Sequence, residues 1–204
     1  MKVLILSKTH IGNSACIGGI MIDTFQYVRL MAGTKPRLYQ PSNTSFNVGN
    51  IWDIEFDESP DIPPHIEDVI VREKKYVSSI DVRQFVVEHN KKGNITIWKG
   101  KPNTLFDGCL EFLDNNIAYI GTTNISNHSI GFWILNKELG LSTTNYLGKI
   151  KYRYLNDEVD MSYVGFEDPI ETIPTGTLLR VSLAKWFTPT NRPHGCYLQL
   201  SGWY

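Results

Sequence analysis

Apolar and polar residues alternate with a period of two in two stretches of the chain that repeat one another. From Gly176, the run Thr177-Leu-Leu-Arg-Val-Ser-Leu183 leads into a loop with Pro189 and Pro193-His194, then into Cys196-Tyr-Leu-Gln-Leu200. From Gly49, the run Asn50-Ile-Trp-Asp-Ile-Glu-Phe56 leads into Pro60 and Pro64-His65, then into Glu67-Asp-Val-Ile-Val71. Aligned on the two glycines, Trp52, Ile54 and Phe56 fall on Leu179, Val181 and Leu183, and Asp53 and Glu55 fall on Arg180 and Ser182. Alternation sends successive side chains to opposite faces of a strand. Each copy therefore predicts two half-buried strands, joined across a proline-rich loop too long for a two-residue hairpin turn. Such a ribbon needs more strands to bury its apolar face, as a small barrel or a sandwich provides. Two copies in 204 residues predict two small β-domains, with one larger sandwich as the alternative that length permits.

The rest of the pattern is mostly strand. Residues 3–6 predict a short buried strand and residues 7–14 a polar loop. An apolar run at 16–22 is broken by Gly18-Gly19, a sign of a bulge or a close backbone approach, and Tyr27–Met31 is the next strand. Residues 32–48 read as a long connection. Residues 66–76 fit helix or strand, and the repeat selects strand for 67–72. Ser78-Ser79 then predicts a helix N-cap, residues 80–89 have apolar positions at helical spacing, and Asn90-Lys-Lys-Gly93 predicts the stop. Further strands are expected at 95–98, 105–112, 117–120, 130–135, 147–155 and 161–166, a spacing found in all-β barrels.

Composition narrows the function classes. The chain is 42% hydrophobic and 20% charged with a net charge of −1, an ordinary globular balance. Proteins that grip duplex DNA without sequence preference usually carry a basic excess. Nucleic-acid binding here would instead need a local groove and base stacking. No apolar run reaches membrane-span length and no signal peptide is evident, so a soluble, cytoplasmic protein with no membrane association is expected. Cys16, Cys109 and Cys196 lie too far apart in sequence to suggest a zinc ribbon or a disulfide framework.

Several stretches together resemble a family: Val3-Leu-Ile-Leu-Ser-Lys-Thr9, Cys16-Ile-Gly-Gly-Ile20, Trp52-Asp-Ile-Glu-Phe56, Pro64-His-Ile-Glu-Asp-Val-Ile-Val71, Gly131-Phe-Trp-Ile134, Tyr163-Val-Gly-Phe166, Leu179-Arg-Val-Ser-Leu-Ala184 and Cys196-Tyr-Leu-Gln-Leu-Ser-Gly-Trp-Tyr204. Over nearly its whole length the chain is similar to the bacterial dual OB-containing domain family. The resemblance implies a mainly β protein of two OB-like small β-barrels packed together, with one short helix near residues 79–90. Residues 1–92 are then a first barrel plus linking helix, and residues 93–204 a second barrel. For function the resemblance implies nucleic-acid or ligand sensing within bacterial conflict systems, with no catalytic residues to carry over.

Candidate chemistry follows from that frame. An OB barrel binds single strands with basic residues on the phosphates and aromatic rings under the bases. Lys149, Lys151 and Arg153 share one face of an alternating strand, and Trp98, Trp133 or Trp186 could supply stacking. The bland reading is an edge strand guarded by lysines. Arg180, Lys185, Trp186, Phe187 and Arg192 set two aromatics among basic residues, a stacking platform or simply the closure of a core. Trp203 and Tyr204 could pack on their own barrel or on a partner. The five histidines lack metal-ligand spacing, no phosphate-loop motif is present, and His65 and His194 at matching repeat positions suggest a shared structural role. The expectation is a non-catalytic recognition or sensor module, without metal or cofactor, that binds single-stranded nucleic acid or a nucleotide-like ligand through Lys149, Lys151, Arg153, Trp98, Arg180, Lys185 and Trp186, and that serves an effector protein. The alternative is a protein–protein interaction module pairing through an edge strand or the C-terminal aromatic tail.

Overall fold

Apolar phase decides which face of each strand turns inward, and in the first half of the chain five such faces close on one another. Strands β1 (Lys2–Ile11), β2 (Ser14–Met21) and β3 (Tyr27–Met31) form an antiparallel meander, and a two-residue β4 (Gln40–Pro41) adds to β2. Strand β5 (Asn50–Glu58) pairs with both β1 and β6 (Asp68–Ser79), and β6 runs parallel to β3. The ring β1-β2-β3-β6-β5 is thereby complete, a Greek-key barrel of OB type. The only α-helix among the described residues, α1 (Val82–Lys91), follows the barrel and packs Phe85 and His89 on Phe25. The computed structural model describes residues 1–33, 38–113, 116–142, 149–154 and 159–204. They divide into two compact units, Met1–Thr96 and Ile97–Tyr204.

The second unit opens with β7 (Ile97–Lys99), a 3-10 segment (Pro102–Gly108), β8 (Glu111–Phe112) and β9 (Ala118–Ile120). Then come β10 (Ile130–Ile134), β11 (Leu139–Ser142), β12 (Lys151–Tyr154), β13 (Val159–Tyr163), β14 (Thr172–Ile173), β15 (Leu178–Leu183) and β16 (Cys196–Trp203). Strand β11 pairs with β12, β12 with β13, β13 in parallel with β16, β16 with β15, and β15 with β10. Strands β10 and β11 are consecutive in the chain, and as two halves of one bent strand they give the same ring order as the first barrel. The sequence repeat now has a structural meaning. Its copies are the fourth and fifth strands of each ring, β5–β6 and β15–β16. Gly49 (φ +85°) and Gly176 (φ +83°) enter the two copies in the left-handed conformation that glycine adopts without strain.

Some sequence expectations need correcting. Residues 7–14 are not a polar loop: β1 and β2 continue through them to a tight turn at Gly12-Asn13, because Thr9 pairs with Cys16 and Ile11 with Ser14. Ser78 and Ser79 still belong to β6, and the helix cap is Asp81, whose carboxylate accepts from the Gln84 amide at 2.6 Å. Most of 105–112 is not strand. Pro102 begins a 3-10 turn, Phe106 and Asp107 take positive φ, and Leu105 and Phe106 are buried in the second core. Strand β11 carried no alternation that the sequence reading used. Of the strand expected at 147–155, residues 147, 148 and 155 lie outside the described residues.

The second core gathers Trp98, Leu105, Phe106, Trp133, Tyr152, Tyr154 and Met161 with the inner faces of β15 and β16. Trp98 lies on the backbone of Gly131, where an added Cβ would stand 2.2 Å from the indole Cζ3. Gly131→Val should therefore lower stability by about 1–3 kcal/mol through overpacking, read as a shifted urea midpoint at unchanged slope. An unchanged midpoint would show that the indole can move aside.

Candidate functional site

In OB barrels the outer face of the second and third strands, flanked by the loops after the first and fourth strands, carries ligands. The second barrel's counterpart is β12 and β13 with the β15–β16 loop. Tyr152 and Tyr154 point into the core, which turns Lys151 and Arg153 outward from β12. Lys149, just before β12, is exposed. Across the strand pair, Asp160 faces Arg153 in register. The Arg153 Nε donates to Asp160 Oδ1 at 2.8 Å, a second guanidinium nitrogen reaches Oδ2 at 3.3 Å, and the Lys151 ammonium lies 3.9 Å away. One carboxylate thus answers two cations, and the row keeps a net positive charge with Lys149 at its head.

The β15–β16 loop is built on aromatic contacts. Phe187 pairs backbone with Gly195 and packs on Tyr197 at 5.1 Å. The Trp186 indole stacks on the imidazole of His194 (5.3 Å, 17°), and the His194 Nδ1 is 2.8 Å from the Thr188 hydroxyl. Trp186 also leans on the core, so the exposed stacking surface is Phe187 (44% exposed) and His194. Lys185 and Arg192 are half-buried in the same loop.

A path of contacts joins loop and strands. Asp160 bridges to Ile117, Ile117 clusters with Tyr119 and Tyr197, and Tyr197 meets Phe187. Tyr119 stacks on Tyr197 and donates to Glu111 at 2.8 Å, a bond that, with burial, raises the Tyr119 pKa. These contacts link the two sets of residues, drawn from distant stretches, within the second unit.

Two candidates do not stand there. Trp98 is 9% exposed, has His128 stacked on its ring at 5.5 Å, and donates its N–H to Asp107. Arg180 is 3% exposed, between the registers of Phe132 and Gly202. Neither can meet a phosphate or a base without rearrangement. The His65–His194 analogy also fails: His65 is fully buried beside Arg29, whereas His194 is exposed on Trp186. Sequence reading missed His194 as a stacking surface, since Pro-His punctuation is the same in both copies and only folding separates them. The tail packs on its own barrel, with Trp203 against Tyr163 and Tyr152, and with the Tyr204 amide donating to Leu178.

In the first barrel Arg29 on β3 forms an ion pair with Asp68 on β6, with His65 of the 59–67 loop beside the guanidinium; the Arg29 amide donates to Glu67 O and the Ser59 amide to Asp68 O. Elsewhere in that unit a concavity of ≈ 500 Å³ carries Glu55 and Glu58 on its wall, the wrong sign for phosphate.

Burial pushes the Cys196 thiol up to about 12, and burial with the nearby Asp107 raises Cys109, whereas a nucleophilic thiol needs a lowered pKa. Among the described residues, no cluster of three or more His, Cys, Asp or Glu side chains could hold a metal ion, and no helix is long and apolar enough to cross a membrane.

Among curated proteins, none matches the chain significantly. A solved structure titled "Structural mimicry for functional antagonism" is 15% identical and aligns over 100% of this chain and 90% of its own, with a TM-score of 0.35. The structure of the p204 HINb domain is 13% identical over 98% of this chain and 95% of its own, with a TM-score of 0.33. The family model described as the dual OB-containing domain matches residues 1–203, and with two OB-type rings in place the chain belongs to the dual OB-containing domain family.

Proposed function

We propose that the protein is a non-catalytic recognition module whose second barrel binds single-stranded nucleic acid along β12, β13 and the β15–β16 loop. The observation that supports this reading is the pair of exposed rings, Phe187 and His194, in the β15–β16 loop of a barrel that also turns a cationic row outward on β12, the two elements at which OB barrels hold ligands. Rings of this kind accept any base face, and Lys149 and Lys151 offer charge to the backbone. Lys185 and Trp186 position the loop. In this reading the protein works in the bacterial cytoplasm as a sensor subunit for an effector protein, a role supported by the family resemblance.

Fluorescence anisotropy with labelled single-stranded DNA, single-stranded RNA and duplex, at two salt concentrations, tests it. Salt-sensitive binding to a single strand is expected. Asp160 holds Arg153 at 2.8 Å and Lys151 only at 3.9 Å, so Lys149→Glu with Lys151→Glu should remove two phosphate contacts. The slope of log affinity against log salt should then fall by about 1.4, at roughly 0.7 per contact. A slope unchanged in the double variant would remove β12 from the site, and no binding at low salt would leave the protein–protein interaction reading, through an edge strand, in its place.

A further inference from the structure

Three consecutive residues of the loop before β5 meet side chains from three strands of the first barrel. The Lys8 ammonium of β1 donates to Thr44 O at 3.2 Å, and the Lys74 ammonium of β6 donates to Ser45 Oγ at 3.2 Å. The Phe46 ring meets Trp52 of β5 edge to face at 5.1 Å, and the Lys74 ammonium lies 4.1 Å from the Phe46 centroid and 5.5 Å from that of Trp52.

This gathering of charge has no acid to balance Lys74. Its ammonium has no ion-pair partner among the described residues, and burial lowers its pKa with no carboxylate acting against the shift. The sequence of residues 34–37, Thr-Lys-Pro-Arg, contains no carboxylate either.

Two polar groups beside the same loop have nothing to bond. The Thr44 hydroxyl and the Trp52 indole N–H are fully covered and make no hydrogen bond, and the two residues are only 7% and 8% exposed. Buried donors nearly always find a partner, so one left without calls for a water, an ion or a ligand. Two such groups next to an unbalanced ammonium call for an anion.

The neighbouring ring narrows the class of anion. Across β5–β6, Lys74 stands opposite Ile54 and Tyr76 opposite Trp52, so cation and phenol ring share one face of β6. Tyr76 meets Trp52 edge to face at 5.6 Å and stays 51% exposed. A phosphate accepts from ammonium, hydroxyl and indole donors at once, and any nucleobase can stack on an open ring two residues away.

We propose that this part of the first barrel binds one nucleotide, its phosphate held by Lys74, Lys8, Ser45, Thr44 and the Trp52 N–H and its base stacked on Tyr76. The nucleotide is either free or part of a strand, and the site lies in the other unit from the β15–β16 loop. It does not depend on strand binding by the second barrel.

The test follows the Trp52 indole N–H by nuclear magnetic resonance in the isotope-labelled full chain, assigned with Trp52→Phe, as inorganic phosphate, AMP, UMP or single-stranded oligo-dT is added. AMP or UMP should shift the signal saturably and bind more tightly than inorganic phosphate. Lys74→Met should weaken binding about tenfold, the loss that goes with one hydrogen bond to a charged group, and Tyr76→Ala should weaken the nucleotides alone. Ser45→Ala, which removes an exposed hydroxyl, gives a second reading should Lys74→Met disturb the fold. A shift with oligo-dT as well supports a strand as the source, and a shift with mononucleotides alone supports a free nucleotide. No shift with any probe, or shifts indifferent to both Lys74→Met and Ser45→Ala, overturns the site, and oligonucleotide anisotropy that persists then leaves the second barrel's reading standing. Inorganic phosphate bound as tightly as AMP, with Tyr76→Ala without effect, rejects the nucleotide. A lowered urea midpoint in Lys74→Met with every titration unchanged would assign the ammonium to packing on the two rings.

Discussion

Asp68→Ala should destabilise the first barrel by about 3–5 kcal/mol, the cost of leaving a buried charge without its partner. The Asp68 side chain is fully buried and that of Arg29 is 11% exposed, so water cannot replace the lost carboxylate. His65, also fully buried, lies with its Nδ1 3.5 Å from an Arg29 nitrogen and offers no negative charge in exchange. The measurement is urea unfolding followed by circular dichroism. A double variant, Arg29→Met with Asp68→Leu, should recover most of the loss, because removing both charges also removes the need to desolvate them. A loss below about 1 kcal/mol in Asp68→Ala would mean that the 59–67 loop opens readily and that Arg29 reaches water, as an exposed pair would allow.

Phe187→Ala with His194→Ala should reduce affinity for a single strand by about a hundredfold. Each stacked base is worth roughly 1–3 kcal/mol by alanine substitution, and the two rings form the exposed surface of the loop. The fold should survive, since both side chains lie outside the core that Trp186 leans on. Anisotropy against single-stranded DNA and RNA reads the change, and duplex serves as the control. A loss below about threefold would show that the strand does not cross this loop, and attention would then move to β12 and the cationic row. The expected loss exceeds that from the lysine reversals, because exposed charge contacts are screened by salt while a stacked ring is not.

The two barrels differ in a way that their shared repeat conceals. In both copies the loop between the fourth and fifth strands carries proline and a Pro-His pair. In the first barrel the histidine of that pair, His65, is fully buried beside the Arg29–Asp68 ion pair. In the second barrel the matching His194 is exposed, as is Phe187 in the same loop. A buried ion pair lies between β3 and β6, whereas β13 and β16 share none.

Much of this architecture was legible in the residue pattern. The phase of β5, β6, β15 and β16, the bounds of β3, the helix and its stop near Gly93, and the duplication itself follow from local periodicity and punctuation. These are properties that a strand or helix carries wherever it ends up. The family resemblance then supplied the barrel type. The outward phase of Lys151 and Arg153 was also legible, because alternation puts side chains on a common face whatever the strand's neighbours.

Tertiary structure alone decided the rest. Closure of the second ring depends on β10 and β11 acting as halves of one strand, and no alternation in the sequence joins them. Arg180 lies on the polar phase of β15 yet is covered, because Phe132 and Gly202, tens of residues away, are its register neighbours. Trp98 was read as a stacking surface and instead is buried, close against the Gly131 backbone and stacked with His128. Asp160 answers Arg153 across a strand pair, and Thr44, Ser45 and Phe46 meet Lys8, Lys74 and Trp52 only once the first ring has closed. Periodicity tells a side chain which way to point, while what it finds there is fixed by register between strands far apart in sequence.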